Sequence, residues 1–208
     1  MASKPTTLKL SPVTPSDIPT LTTIWFAAFT DPGLRRLWPD TPGVRGWWDE
    51  ANSSDLQNKP FQKYVKVVDT AIPASDRQGQ AGEGRIVAYA KWDTSTPEER
   101  GRRYPPWHAE MPSDECDRFF EREESERGRL MGETRHYYLD TLATHQDYQR
   151  RGAGSMLLQW GCDLADKDGV ALYVDASKAG APLYQRFGFV DESGPGAGNI
   201  ASMVRTAR

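Results

Sequence analysis

At 208 residues, with 38% hydrophobic and 26% charged residues, the chain has the composition of a soluble globular protein long enough to bury its own core. Its formal net charge of -3 excludes a general basic field for nucleic acid, so any phosphate site has to be local. Two cysteines and three histidines, with no CxxC pair and no HExxH, argue against a structural zinc site and for reduced thiols.

The start of the chain lacks the apolar stretch of a signal peptide, and no apolar run reaches the roughly 20 residues that span a bilayer, so the expectation is a cytoplasmic protein with no membrane contact. Residues 8–13 alternate weakly and predict an opening strand. Thr14, Ser16 and Asp17 then supply capping side chains for a helix with Ile18, Leu21, Ile24, Trp25 and Ala28 at helical spacing, and Asp31-Pro32-Gly33 is read as its stop. A second helical piece is expected near 44–51, with Trp47 and Trp48. Residues 64–70 and 85–92 predict two neighbouring strands, and the polar, Gly-rich stretch 75–84 between them reads as an exposed hairpin loop.

Residues 94–112 are irregular and punctuated by proline. A charged helix over 113–127 follows, with Phe119 and Phe120 as its apolar markers. This segment, about 94–132, reads as an insertion that cannot form a core alone. A central strand is expected at 136–144, a helix at 155–167 closed by Gly169, and a strand at 171–176. Together they predict a right-handed parallel unit. A short helix at 181–187, opened by Pro182, and a closing hairpin of 189–192 with 200–205 complete one α+β (mixed α/β) domain over residues 1–208.

The most informative stretch is Gln149-Arg150-Arg151-Gly152-Ala153-Gly154, a basic glycine turn between strand and helix. Helix N-termini offer unpaired N–H groups and a positive dipole end, and two arginines beside them make a seat for phosphate. Leu157 and the residues after Gly154 exclude both a dinucleotide fingerprint and a P-loop. The turn instead closely resembles the Q/R-x-x-G-x-G/A loop of the GNAT superfamily of N-acetyltransferases. A second segment, Leu183-Tyr184-Gln185-Arg186-Phe187-Gly188-Phe189, looks like the family's Tyr-x-x-x-Gly-Phe signature. In style the block is similar to single-domain members from filamentous fungi.

The resemblance implies a central twisted mixed sheet of about six to seven strands flanked by helices, with a helical insertion before the central strand. It implies acetyl-coenzyme A as cofactor and transfer of its acetyl group to a primary amine, with no covalent intermediate. Cofactor contacts are expected from Leu142, Ala143, Thr144, Gln149, Arg150, Arg151, Gly152, Ala153, Gly154, Ser155 and Tyr184, and Arg186 is a candidate for the 3′-phosphate. Tyr184 is the expected general acid, since a phenol of pKa near ~10 can protonate a thiolate.

Asp140 is the first choice for the base, because period-two alternation places Tyr138, Asp140, Leu142 and Thr144 on one strand face. His136 and a water relay stay open as alternatives, and His145 is expected merely to end the strand. Many family members carry an asparagine near Asp175 and Ser177, which leaves that cofactor contact open.

The aromatic residues of the N-terminal half and the insertion suggest a pocket for a small hydrophobic amine, with Trp25, Phe29 and Tyr138 as substrate candidates. The acidic run of 114–124 reads as a solvated helix face. An acyl-coenzyme A sensor without catalysis and a peptide N-acetyltransferase remain alternatives on the same fold. Many family members dimerise through the C-terminal hairpin, so a homodimer is also open.

Overall fold

The computed structural model describes residues 7–73, 84–195 and 197–208. Its strands are β1 (Leu8–Pro12), β2 (Gln62–Asp69), β3 (Arg85–Asp93), β4 (His136–Thr144), β5 (Ala171–Ser177), β6 (Val190–Asp191) and β7 (Ile200–Arg205). Its helices are α1 (Ile18–Ala28), α2 (Pro32–Leu37), α3 (Pro42–Asn58), α4 (Ser113–Met131), α5 (Ala153–Asp168) and α6 (Ala181–Gln185). No described helix is long and apolar enough to cross a membrane.

The strands form one open sheet in the order β1-β2-β3-β4-β5-β7-β6, parallel only between β4 and β5. This is the expected mixed α+β sheet with flanking helices. β2 and β3 are buried on both faces, which explains their near-continuous apolar runs. One face packs on α5, through Val65, Val87, Trp92, Leu139, Leu157 and Leu172. The other carries α1, α2, α3 and the insertion, through Ile24, Trp25, Trp48, Tyr64, Tyr89 and Cys116. A Cβ on Gly161 would stand 2.1 Å from the Trp92 ring, so α5 crosses the buried Trp92 only because it has no side chain there.

Three helices depart from the sequence expectation. Asp31-Pro32-Gly33 does end α1, but it also starts α2: Asp31 Oδ1 accepts from the N–H groups of Gly33 and Leu34. α3 runs well beyond residue 51 because polar residues carry it through buried partners. Asn52 accepts from Tyr64 Oη at 2.9 Å and Asp55 pairs with Lys91 at 2.7 Å. α4 continues to Met131 and stops at Gly132, whose φ of +46° suits glycine. The hairpin loop expected at 75–84 lies outside the described residues, Gly84 excepted.

The insertion docks on α2 and α3. Trp47 Nε1 donates to the Pro106 carbonyl at 2.8 Å, Tyr104 stacks on Trp48, Arg36 pairs with Glu115, and Thr41 bonds Glu110. It therefore borrows a core from the rest of the chain.

The most consequential departure is in β4. Lys91 pairs with Thr141 but Trp92 pairs with Leu139, so Asp140 is the extra residue of a β-bulge. A bulge shifts alternation by one position. Leu139 and Leu142 both face α5, whereas Tyr138 and Ala143 face the opposite side. The expected shared face of Tyr138, Asp140, Leu142 and Thr144 is thus broken at Asp140.

Candidate active site

β4 and β5 pair only over 136–138 and 171–173. Beyond them β4 continues on β3 and β5 on β7, so the strands part and 139–144 keep an unpaired edge toward β5. A cavity of about 1080 Å³ opens in this gap and reaches both faces of the sheet. That exceeds the ~300–1,000 Å³ common for one small ligand.

On the α5 side the wall is backbone. A 3₁₀ turn at Gln146–Tyr148 leads into Gln149, whose side chain donates to the Thr144 carbonyl at 3.3 Å and ties the turn to the strand end. Arg150 then adopts φ +62°, the one positive φ at a described non-glycine residue, and Gly152 adopts φ +96°. A left-handed non-glycine residue costs about 1–2 kcal/mol, a strain that clusters at ligand sites. Such alternation turns successive N–H groups into one concavity, continuous here with the unbonded N–H groups of the first turn of α5.

Gly154 permits close packing: a Cβ there would lie 3.4 Å from Leu183 and 3.6 Å from Leu142. Arg150 faces the cavity without a described partner. Arg151 turns back to the Asp147 carbonyl and the Tyr148 ring, and does not line the cavity.

Of the expected cofactor contacts, the cavity is lined by Leu142, Thr144, Gln149, Arg150, Gly152, Ala153, Gly154, Ser155 and Tyr184. Ala143 points its methyl into the core beneath α1, a consequence of the bulge. Arg186 also lines the cavity. Tyr184 reaches it from α6, packed edge-on against Phe189, and its hydroxyl forms no hydrogen bond to another described residue. Burial pushes its phenol above the usual range, so it stays protonated.

On the opposite side the wall is side chains. Trp25, Phe29, Trp38, Trp48, Phe119 and Phe120 line it, whereas Phe26, Trp47 and Trp107 lie behind. Among them stands a buried ionic network. Arg103 Nε donates to Asp140 Oδ2 at 2.9 Å and its Nη1 to Glu123 Oε2 at 3.0 Å, while its guanidinium lies over Phe120 and Tyr138. Lys91 bridges Asp55 and Asp140, at 2.7 and 3.6 Å.

The Asp140 carboxylate, 1% exposed, also accepts from Tyr104 Oη and Thr141 Oγ1. Burial opposes its ionisation, but Arg103 and Lys91 outweigh that and hold it well below the usual carboxylate range. A carboxylate so held is a weak base. The expectation that Asp140 takes the proton therefore meets a physical objection: it anchors two cations. His136 lies outside the cavity, its Nδ1 on the Thr134 carbonyl, and burial lowers its pKa. His145 accepts from the Asp147 N–H at the end of β4, as expected of a strand terminator.

Two acids on this wall behave in the opposite sense. Glu123, buried on α4, is pushed up to about 8 by burial, with Arg103 opposing and Asp175 adding to the rise. Asp175, on β5 where the strands part, is also raised by burial; its partners are the hydroxyls of Tyr173, Tyr138 and Ser202. Glu123 is the exception in an acidic run otherwise turned to solvent. A signal for it existed: Cys116, Phe120, Glu123 and Arg127 follow one another at three- and four-residue steps along the buried face of α4. Arg103, inside an irregular proline-flanked segment, had no such signal.

The acetyltransferase (GNAT) family model matches residues 82–189, just over half of the chain. Among curated proteins none matches this chain. Among solved structures it is similar to a histone acetyltransferase HPA2 and related acetyltransferase from Corynebacterium glutamicum, at 21% identity and TM-score 0.60 over 97% of both chains. It is also similar to the PaiA N-acetyltransferase of Thermoplasma acidophilum in complex with coenzyme A, at 12% identity and TM-score 0.55 over 96% of this chain and 98% of that one. The ribosomal-protein-S18-alanine N-acetyltransferase of Escherichia coli matches at 16% identity and TM-score 0.50, over 95% of this chain and 90% of that one. At these identities the structures attest the fold.

Proposed function

From the premise that this chain belongs to the acetyltransferase (GNAT) family, whose members use acetyl-coenzyme A, we propose that it acetylates a primary amine on a small molecule with a hydrophobic or aromatic body. The observation that carries this reading is the single cavity joining the strained 149–155 turn, the unpaired edge of β4, Tyr184 and the aromatic wall.

The residues fit the cofactor. The N–H groups of 150–155 and the free Arg150 guanidinium suit a diphosphate, and the open backbone of 139–144 suits an amide-bearing arm that pairs like an added strand. When bound, acetyl-coenzyme A supplies an acyl thioester to an attacking amine. The chain's own contribution is to align the two reactants across the sheet, to keep water out with Trp25, Phe29 and Tyr138, and to hold a proton on Tyr184 Oη for the departing sulfur. Asp140 contributes by fixing Arg103 and Lys91 in place.

The test is release of free thiol from acetyl-coenzyme A against a panel of amines, with products identified by mass spectrometry. An acetylated small amine supports the reading. Tight cofactor binding without transfer to any amine points to a sensor, and transfer to peptide acceptors alone points to a protein N-acetyltransferase; either result overturns it.

A further inference from the structure

The acceptor side of the cavity holds more carboxylates than cations. On this wall of the cavity Arg103 stands among three carboxylates, Asp140, Glu123 and Asp175; behind it Lys91 is shared between Asp140 and Asp55, which also pairs with Lys59, and Arg127, over the Tyr138 ring, pairs with Glu124. Glu123, its side chain 9% exposed, gives Oε2 to Arg103 and keeps Oε1 without a described partner on the cavity wall. Asp175 is bonded by neutral hydroxyls alone, from Tyr173 at 2.7 Å and from Tyr138 and Ser202 at 3.4 Å each. A buried carboxylate bonded only by hydroxyls, beside another that shares its one cation with Asp140, is costly unless a charge arrives to meet them.

Resting on the reading above, we infer that Glu123 and Asp175 form the receptor for the acceptor's ammonium group, so that the substrate is a cation carried on an apolar body and the insertion sets specificity. The three features needed meet in one place. α4 brings Glu123 to the cavity beside Phe119 and Phe120, β5 brings Asp175 to the point where the sheet parts, and Trp25, Trp38 and Trp48 supply apolar walls.

Asp175 is the proton acceptor. One N–H bond of the ammonium breaks, an O–H bond forms on Asp175, and the nitrogen keeps the electron pair with which it attacks. Glu123, tied to Arg103, orients the ammonium and stays in place. The charged and titratable groups that act on Glu123 are Arg103 and Tyr104 from the 94–112 segment, Tyr138 and Asp140 on β4, and Asp175 and Tyr173 on β5.

The experiment is binding of 2-phenylethylamine and its neutral analogue 2-phenylethanol, read by the fluorescence of the cavity tryptophans, in the wild type, Glu123→Gln and Asp175→Asn. Acetyl-coenzyme A affinity serves as the control for folding. The wild type is expected to prefer the amine at least about tenfold, equivalent to ~1.4 kcal/mol, and each variant to lose most of that preference with cofactor affinity unchanged. Amine affinity should also rise with pH toward about 8 in the wild type, and that rise should be smaller in Glu123→Gln, where Asp175 alone still titrates.

Equal binding of amine and alcohol by the wild type, or retained preference in both variants, overturns the inference even if amines are acetylated. Loss of preference in the variants without acetyl transfer by the wild type keeps the receptor and removes the enzymatic reading instead.

Discussion

On the α5 side of the cavity the groups aimed at a ligand are mostly the backbone N–H groups of one short turn, with the Arg150 guanidinium beside them. On the α4 side they are side chains gathered from the 94–112 segment, α4, β4 and β5. A backbone site needs only glycines, a helix start and a tolerated left-handed residue within seven positions, and it can receive the same cofactor whatever surrounds it. A side-chain site draws on partners 20 to 37 residues apart, such as Arg103 with Glu123 and with Asp140. Such a wall can be rebuilt without disturbing its neighbour. The difference teaches that donor use is a property of the fold, while acceptor choice is a property of this chain.

Four substitutions would break or sharpen that division. Tyr184→Phe stands where the two walls meet and is expected to lower turnover at least about 10²-fold, with acetyl-coenzyme A affinity within about twofold by calorimetry. An unchanged rate would remove the phenol from the chemistry. Arg103→Leu strikes the side-chain wall. It strands buried Asp140 and Glu123, so denaturant unfolding should show a loss of about 3–5 kcal/mol. Cofactor affinity in the folded fraction should persist, and if it falls together with stability the walls are not separable.

Gly152→Ala strikes the other wall. The added methyl meets nothing within 4 Å, so the cost is that of φ +96° alone, about 1–2 kcal/mol. It should raise the KM for acetyl-coenzyme A and leave amine affinity unchanged.

The smallest effect is thermal. Glu123 has a folded pKa raised from 4.5 to about 8, so the stability it permits is complete below about 4.5 and declines as pH rises through 8. Between pH 5 and 8 the wild type should lose a few degrees of Tm that Glu123→Gln retains. Parallel melting curves would place the titration elsewhere.

The same contrast explains what could be read from the sequence. The order of elements apart from α2, the bounds of β4 and β7, and the glycine turn were legible because each rests on local rules of periodicity, capping and φ preference. The reach of α3 was not, since Asn52 and Asp55 look like a polar helix end until Tyr64 and Lys91 are placed beside them. The bulge at Asp140 was not, because one inserted residue leaves no mark on composition yet moves Leu142 to the opposite face. Trp25, Phe29, Trp38, Trp48, Phe119 and Phe120 do line the aromatic pocket expected from the N-terminal half and the insertion, but the ionic network between them depends on Arg103, which lies in a segment without periodicity.

The division between the walls is tested most directly by a crystal structure of the chain with coenzyme A. The account predicts the diphosphate on the backbone N–H groups of 150–155, the pantetheine arm along the unpaired edge of 139–144, and the thiol opening toward Tyr184 and Asp175, with the aromatic wall left free for an amine. Coenzyme A bound against Trp25, Trp48 and Phe120, with the 149–155 turn making no contact, would contradict it.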